Sequence, residues 1–318
     1  MAPENCLAPR ALIRYGMNIF IKPLFFDEPR SMKKKMTMLV VAAALMAIVL
    51  LVSWHTGLFS FFQFGPSSKR VAIPWECLGA VPRVGRGCTP QGMAWTGDRI
   101  IFASSVADTE SILYECHPDD MRILRSFKME KEAVHVSGLA YDGRHLWAVD
   151  YVSNRCYKLD LEASFQQRRA VVLGHFATGL KGTSACCLLK IEGRDYLAIS
   201  DFMRTRKTYI VDHEAALARG TMSENIVFAY RNEGFSQGLE WDGRYLYESE
   251  NKAGVDVINQ MDFAVLRAHQ DARAATVRQF NAPGKAVEDI AFDGERLYTS
   301  DERDFMFHRT APVLGDRE

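Results

Sequence analysis

From Gln91 onward the chain alternates short apolar-polar strands with turns, and one phrase keeps returning. Its clearest copies are Ser137-Gly138-Leu139-Ala140-Tyr141-Asp142-Gly143, leading into Leu146 to Asp150, and Gln237-Gly238-Leu239-Glu240-Trp241-Asp242-Gly243, leading into Leu246 to Glu250. Looser copies run from Gln91 to Ser104 and from Glu288 to Asp301, and a degraded one from Ala185 to Asp201 carries a one-residue insertion. Each copy reads as a strand, a turn that is usually Asp-Gly, and a second strand; Asp and Gly suit the positive φ angles of tight hairpins.

Third strands are expected at Ser111–Tyr114, Arg155–Leu159, Thr208–Val211, Gly254–Ile258 and Asp304–Phe307, and fourth strands at Ala170–Leu173, Asn225–Ala229 and Ala275–Phe280. Four short strands per repeat make a propeller blade. Five copies of about 46 to 51 residues predict an all-β, five-bladed β-propeller over residues 70–309, with six blades as the alternative. The last copy lacks a fourth strand, and Arg70 to Trp75 is expected to supply it and so close the ring, hiding sheet edges. Residues 310–318 are expected to form a disordered tail.

The segment before the repeats has a different pattern. From Met36 to Trp54 the chain is uncharged and apolar, long enough for one transmembrane helix, and Lys33, Lys34 and Lys35 precede it. This predicts a cytoplasmic extension over 1–35, a signal-anchor helix over 36–54, a linker over 55–69, and a propeller on the extracytoplasmic (periplasmic) side. A cleaved signal peptide is the alternative. With 39 basic and 39 acidic side chains, the chain gives no reason to expect nucleic acid as a partner.

Outside the cytoplasm disulfides are permitted, and Cys77 with Cys88 is the first pair to test. The eight histidines show no metal-ligand spacing, and no Gly-x-Ser-x-Gly elbow is present. Trp95, Trp147 and Trp241 fall where aromatics pack between blades. Phe202 to Lys207 reads as a solvated hairpin loop.

Aligned on the turn glycines, Ser104, Asp150, Glu250 and Asp301 coincide, and Asp201 joins them across its insertion. In a propeller such positions form a ring. Three roles are open for it: acids that accept hydrogen bonds from nearby turns, ligands for calcium, or a general acid and base. Glu248 departs from its counterparts Phe102, Ala148 and Thr299 and shares a strand face with Glu250. Two carboxylates on one face, followed by Asn251 and Lys252, make Glu248 and Glu250 the candidate catalytic pair, with Asp150, Asp201, Asp301, Asn251 and Lys252 as candidate binding residues.

The stretch Gly234-Phe235-Ser236-Gln237-Gly238-Leu239 through Leu246-Tyr247-Glu248-Ser249 resembles the Phe-Thr-Gln-Gly-Leu…Leu-Tyr-Glu-Ser phrase of plant and bacterial glutaminyl-peptide cyclotransferases, which are five-bladed propellers. Gly138 to Leu161 and Ile290 to Met306 look similar to that family's later blades. The resemblance implies cyclisation of an amino-terminal glutamine to pyroglutamate with release of ammonia, needing no cofactor, and places the proton-carrying glutamate at Glu248. The family carries its phrase in the first blade and continues Thr-Gly-Leu-Tyr-Gly; here it lies in the fourth unit and continues Glu250-Asn251-Lys252-Ala253-Gly254.

Two other functions are open. One is a non-catalytic binding propeller whose ligand is a peptide, a small molecule or a cell-envelope protein, with the loops Asp212 to Glu224 and Asp262 to Ala274 as contact sites. The other is a calcium-dependent lactonase or esterase.

Overall fold

The repeats form five antiparallel sheets. The computed structural model describes residues 69–82, 88–251 and 256–313, all within the unit from Gln63 to Glu318. The anchor at 36–54, the extension before it, most of the linker, Lys252 and the tail after Val313 lie outside the described residues.

Two short strands come first, β1 (Arg70–Val71) and β2 (Trp75–Ala80). Blade one contains β3 (Cys88–Trp95), β4 (Ile100–Val106), β5 (Glu110–Cys116) and β6 (Ile123–Lys128). Blade two contains β7 (Val136–Tyr141), β8 (His145–Asp150), β9 (Arg155–Asp160) and β10 (Val172–Ala177). Blade three contains β11 (Thr183–Ile191), β12 (Arg194–Asp201), β13 (Lys207–Val211) and β14 (Ile226–Arg231). Blade four contains β15 (Phe235–Trp241), β16 (Tyr245–Asn251), β17 (Val257–Asp262) and β18 (Thr276–Asn281). Blade five contains β19 (Val287–Phe292), β20 (Leu297–Asp301) and β21 (Met306–Thr310), and β2 completes it.

The ring therefore closes with five blades, five residues later in the chain than expected. Trp75 pairs with Thr310 and Ala80 with Met306. Pro74 has no N–H to give a ladder, so the closing strand starts after it. Arg70 and Val71 instead add a parallel strand to the edge of blade four, against Gln279 and Phe280. Thr310 is the last strand residue, and Val313 is buried with its N–H on the Glu295 carbonyl at 2.8 Å, so these residues belong to the fold and not to a tail.

Blades pack through both faces of their strands because side chains alternate. On β8, Leu146 and Ala148 meet Ile101, Ala103 and Leu113 of blade one, while Trp147 and Val149 meet Cys186, Leu197 and Ile199 of blade three. At one end of the blades the Asp-Gly turns are self-capped. Asp142 Oδ1 accepts from the Arg144 and His145 N–H groups and Asp242 Oδ1 from those of Arg244 and Tyr245, with Gly143 at φ 90° and Gly243 at φ 97°. The other carboxylate oxygens hold Trp147 Nε1 at 3.2 Å and the Tyr247 hydroxyl at 3.0 Å.

Four short helices are inserted between third and fourth strands: α1 (Leu161–Gln167), α2 (His213–Arg219), α3 (Phe263–His269) and α4 (Ala272–Ala275). Asp160, Asp212, Asp262 and Asp271 cap them, each accepting from the N–H three residues on. The two loops expected to offer contact sites are thus largely helical and rooted in the core by Ala216, Leu266 and Ala272. Cys77 and Cys88 form no disulfide; Cys88 Sγ lies 2.7 Å from Ser104 Oγ and 3.7 Å from the Pro82 carbonyl.

Candidate functional site at the axial mouth

The first strands of the blades, β3, β7, β11, β15 and β19, surround the axis. Their beginnings, the ends of the second strands and the turns that follow make up one end of the ring, the mouth. The aligned acids lie there; Asp150 and Asp301 each fasten two backbone segments, and Asp201 and Glu250 one each. Asp150 accepts from the N–H groups of His135 and Ser153, both at 2.6 Å. Asp301 accepts from Lys285 and Ala286 through one oxygen and from Arg303 and Asp304 through the other. Asp201 accepts from the Arg204 and Thr205 N–H groups and the Thr205 hydroxyl. Glu250 takes the Gly234 N–H at 2.6 Å and Asn259 Nδ2 at 2.8 Å. All four are buried, and Ser104 stands in for the acid in blade one. Their lone pairs are occupied by turn and loop donors, and among the described residues no three His, Cys, Asp or Glu side chains gather as a metal site.

Glu248 is fully buried at the centre of β16, opposite Leu239 and Asn259. Its face meets blade three. Burial is the main cause that pushes the Cys187 thiol and Tyr230 phenol up, and the Glu248 charge adds to both. Glu248 and Glu250 therefore share a face, but that face is an interior seam between blades. Asn251 bridges blades four and five, accepting from Gln237 Nε2 at 3.1 Å and donating to the Val287 carbonyl at 3.0 Å.

The acids that stand out in the structure are two others, Glu288 and Asp289. Gly92, Gly138, Ala185 and Gly238 occupy the point where neighbouring inner strands come closest; a Cβ on Gly138 would lie 2.6 Å from the Cys186 nitrogen. At the fifth such position stands Asp289, wholly buried. Its carboxylate accepts from Met93 N–H at 2.8 Å, Ile290 at 2.9 Å, Leu139 at 3.2 Å and Leu239 at 3.3 Å, so one side chain ties four blades at the axis. Burial pushes its pKa up, and the N–H groups pull the other way.

One residue earlier, and on the mouth side, the inner strands carry Gln91, Ser137, Gln237 and Glu288. Glu288 receives Gln237 Nε2 at 3.3 Å and has the half-buried Glu302 carboxyl within hydrogen-bonding reach. Burial first, and then Glu302, push the Glu288 carboxyl well above the usual carboxylate range. Burial thus favours the protonated form of Glu288 within this carboxyl pair.

Aromatic residues edge the mouth nearby. Phe202 packs on Phe235 with ring centres 5.3 Å apart, the Arg206 guanidinium lies over Phe235, and the Tyr151 hydroxyl is 3.8 Å from Met203 Sδ. Phe202 and the half-buried Arg206 thus pack against a neighbouring blade, in a segment that reads as a solvated loop in the sequence. A concavity of about 550 Å³ lies at the opposite end, between the Asp142–His145 and Gly193–Asp195 turns. Its acids are committed, Asp142 to His145, Asp212 to Arg194 and Glu214 to Lys158.

The sequence signal for Glu288 and Asp289 was available. They are the copy of Gln91-Gly92, Ser137-Gly138 and Gln237-Gly238 in which both positions turn acidic.

No protein-family model matches the chain, and no curated protein does. Among solved structures, the crystal structure of Myxococcus xanthus glutaminyl cyclase is similar at TM-score 0.53 and 13% identity, covering 77% of this chain and 99% of that one. The likeness shows the fold, a five-bladed propeller. In a closed ring the numbering of blades reflects only where the chain enters, so the cyclotransferase-like phrase can sit in blade four without changing the architecture.

Proposed function

We propose that the protein cyclises amino-terminal glutamine to pyroglutamate at the axial mouth, releasing ammonia, and that residues 36–54 tether it to a membrane with the propeller outside the cytoplasm. The observation that carries the activity is the Glu288–Glu302 pair, a buried carboxyl whose acid form burial favours beside a more accessible one, in a fold shared with a bacterial glutaminyl cyclase. In the reaction the α-amine bonds to the side-chain carboxamide carbon and the carbon–nitrogen bond to the leaving nitrogen breaks. One proton must travel from the attacking to the departing nitrogen. Glu302 takes it from the amine, Glu288 gives its own to the leaving ammonia, and exchange between the two carboxyls restores the starting state.

The resemblance points to Glu248 for this work. Glu248 is as buried as Glu288, and Glu288 has the stronger claim because the half-buried Glu302 carboxyl lies within its reach. The test is turnover of a glutamine-leading peptide by the full chain, followed by ammonia release, for the wild type, Glu288→Gln and Glu248→Gln. The proposal expects Glu288→Gln to lose about 100-fold or more. Loss in Glu248→Gln alone would move the role to Glu248. A binding propeller without catalysis is the second reading, favoured by the saturation of every ring acid by protein donors. Folded wild type that binds such a peptide without converting it would establish that reading instead. Among the described residues no three His, Cys, Asp or Glu side chains gather as a metal site, so no observation favours a calcium-dependent lactonase.

A further inference from the structure

The residue that follows each ring acid divides the mouth in two. Tyr151, Phe202 and Glu302 hold this place in blades two, three and five, and each donates its N–H to the carbonyl just before the inner strand of its own blade, that of His135 at 2.8 Å, Gly182 at 2.9 Å and Ala286 at 2.9 Å. The next residues are Val152, Met203 and Arg303 in the same order. Inner strands neighbour one another in chain order around the ring, so blades two and three are the pair that does not adjoin blade five. The Glu288–Glu302 pair therefore lies across the mouth from two turns that are aromatic and apolar.

Those two turns form one fixed surface. The Tyr151 hydroxyl lies 3.8 Å from Met203 Sδ, and Gly182, at φ 112°, leaves the space that the Tyr151 ring occupies: a Cβ there would stand 3.1 Å from the ring's Cε2. Phe202 is backed by Phe235, with ring centres 5.3 Å apart. The ring acids hold both turns in shape, Asp150 accepting from Ser153 N–H and Asp201 from the N–H groups of Arg204 and Thr205. Val152 is 48% and Met203 58% exposed, and the other exposed large apolar side chains among the described residues lie on β1, on fourth strands or on α3, away from the mouth. A built apolar surface left in water beside a site fits an apolar group of the ligand.

The reach of a peptide matches this layout. Gln237 places its carboxamide 3.3 Å from Glu288, and Phe235, which backs Phe202, begins the same strand two residues earlier, about 7 Å toward solvent. An extended peptide advances about 3.4 Å per residue. With its glutamine at the carboxyl pair, the side chain of its second residue comes over the turns of blades two and three.

We propose that Tyr151, Val152, Phe202 and Met203 form a subsite for the residue that follows the amino-terminal glutamine, and that the mouth prefers peptides with a large apolar side chain in that second position. This rests on the reading of the mouth as the place where a glutamine-leading peptide binds. Met203, unbranched and polarisable, adapts to side chains of different shape, so phenylalanine, leucine and methionine are all accepted over glycine.

The experiment compares two peptide amides, Gln-Phe-Ala and Gln-Gly-Ala, on the full chain. The wild type is expected to convert the phenylalanine peptide with a kcat/KM about 10-fold or more higher. Taking the ratio within each protein cancels whatever a substitution does to the chemistry common to both peptides. Val152→Ser combined with Met203→Ser, both at exposed turn positions, should bring the ratio to within about threefold. Met203→Leu, which keeps the surface apolar, should preserve it. Dissociation constants of the same peptides, measured by calorimetry, carry the comparison where the wild type converts neither: that outcome removes the cyclisation reading, and a preference in binding that the double substitution abolishes still supports the subsite. Equal handling of the two peptides by the wild type, a preference that survives the double substitution, or no binding of either peptide overturns it.

Discussion

Two sets of buried acids share the mouth of this propeller and do different work. Asp150, Asp201, Glu250 and Asp301 recur from blade to blade, and each spends its oxygens on turn and loop donors, so that the end of a second strand is fastened to the segments beside it. Glu288 and Asp289 occur once. One is a buried carboxyl, its pKa pushed up by burial and by a second carboxyl beside it, and the other is a single plug that holds four inner strands together at the axis. The residue type is the same in both sets; the supply of donors and the distance from water decide what each acid does. Repetition marks the positions that every blade needs for its own folding, and the position that breaks the repeat is where chemistry or closure is concentrated.

The contrast predicts an order of effects. Asp289→Asn turns an NH₂ toward inner-strand N–H groups that now have an acceptor, and it should cost about 3 kcal/mol or more in chemical denaturation. A loss under 1 kcal/mol would mean that the axis is not held there. Asp301→Asn meets the same conflict at one blade, between its NH₂ and either the Lys285 and Ala286 or the Arg303 and Asp304 N–H groups. The expected cost is about 1–3 kcal/mol, without loss of the ring as a whole.

Glu288 provides the smallest and most specific effect, through pH. Its folded pKa is raised, so the unfolded chain releases this proton first, from about pH 4.3 upward. Stability contributed by the neutral form is complete below that pH and declines as pH rises toward the folded pKa. Glu288→Gln cannot ionise and should flatten this part of the stability–pH curve. An unchanged slope would show that Glu288 is already ionised in the folded protein.

Most of the fold was legible in the sequence because its signals are local. Gly143 and Gly243 mark hairpin turns, the strand alternation marks blades, and the number of copies gives the five-fold closure. The helices fall in segments that read as loops although Asp160, Asp212 and Asp262 each open an N-capped turn, because helices of 7 residues are too short for a helical period to show. The closing strand was displaced by Pro74, a residue whose missing N–H is itself visible in the sequence. The site was legible only in part. The ring of acids could be located, but its role depends on partners such as His135 for Asp150 and Lys285 for Asp301, fifteen or more positions away and not part of the repeated phrase. Glu248 stood out by comparison with its siblings, yet strand alternation alone could not tell a seam between blades from an open mouth. Glu288 and Asp289 could have been found by the same comparison applied one strand earlier.

The central claim is that an unrepeated carboxyl pair at the axis carries proton transfer in glutamine cyclisation. Its most direct test is ammonia release from a glutamine-leading peptide by the full chain, measured side by side for wild type and a folded Glu288→Gln. The account predicts conversion by the wild type and a loss of about 100-fold or more in the variant. Equal rates in the two, or no conversion by folded wild type, would contradict it.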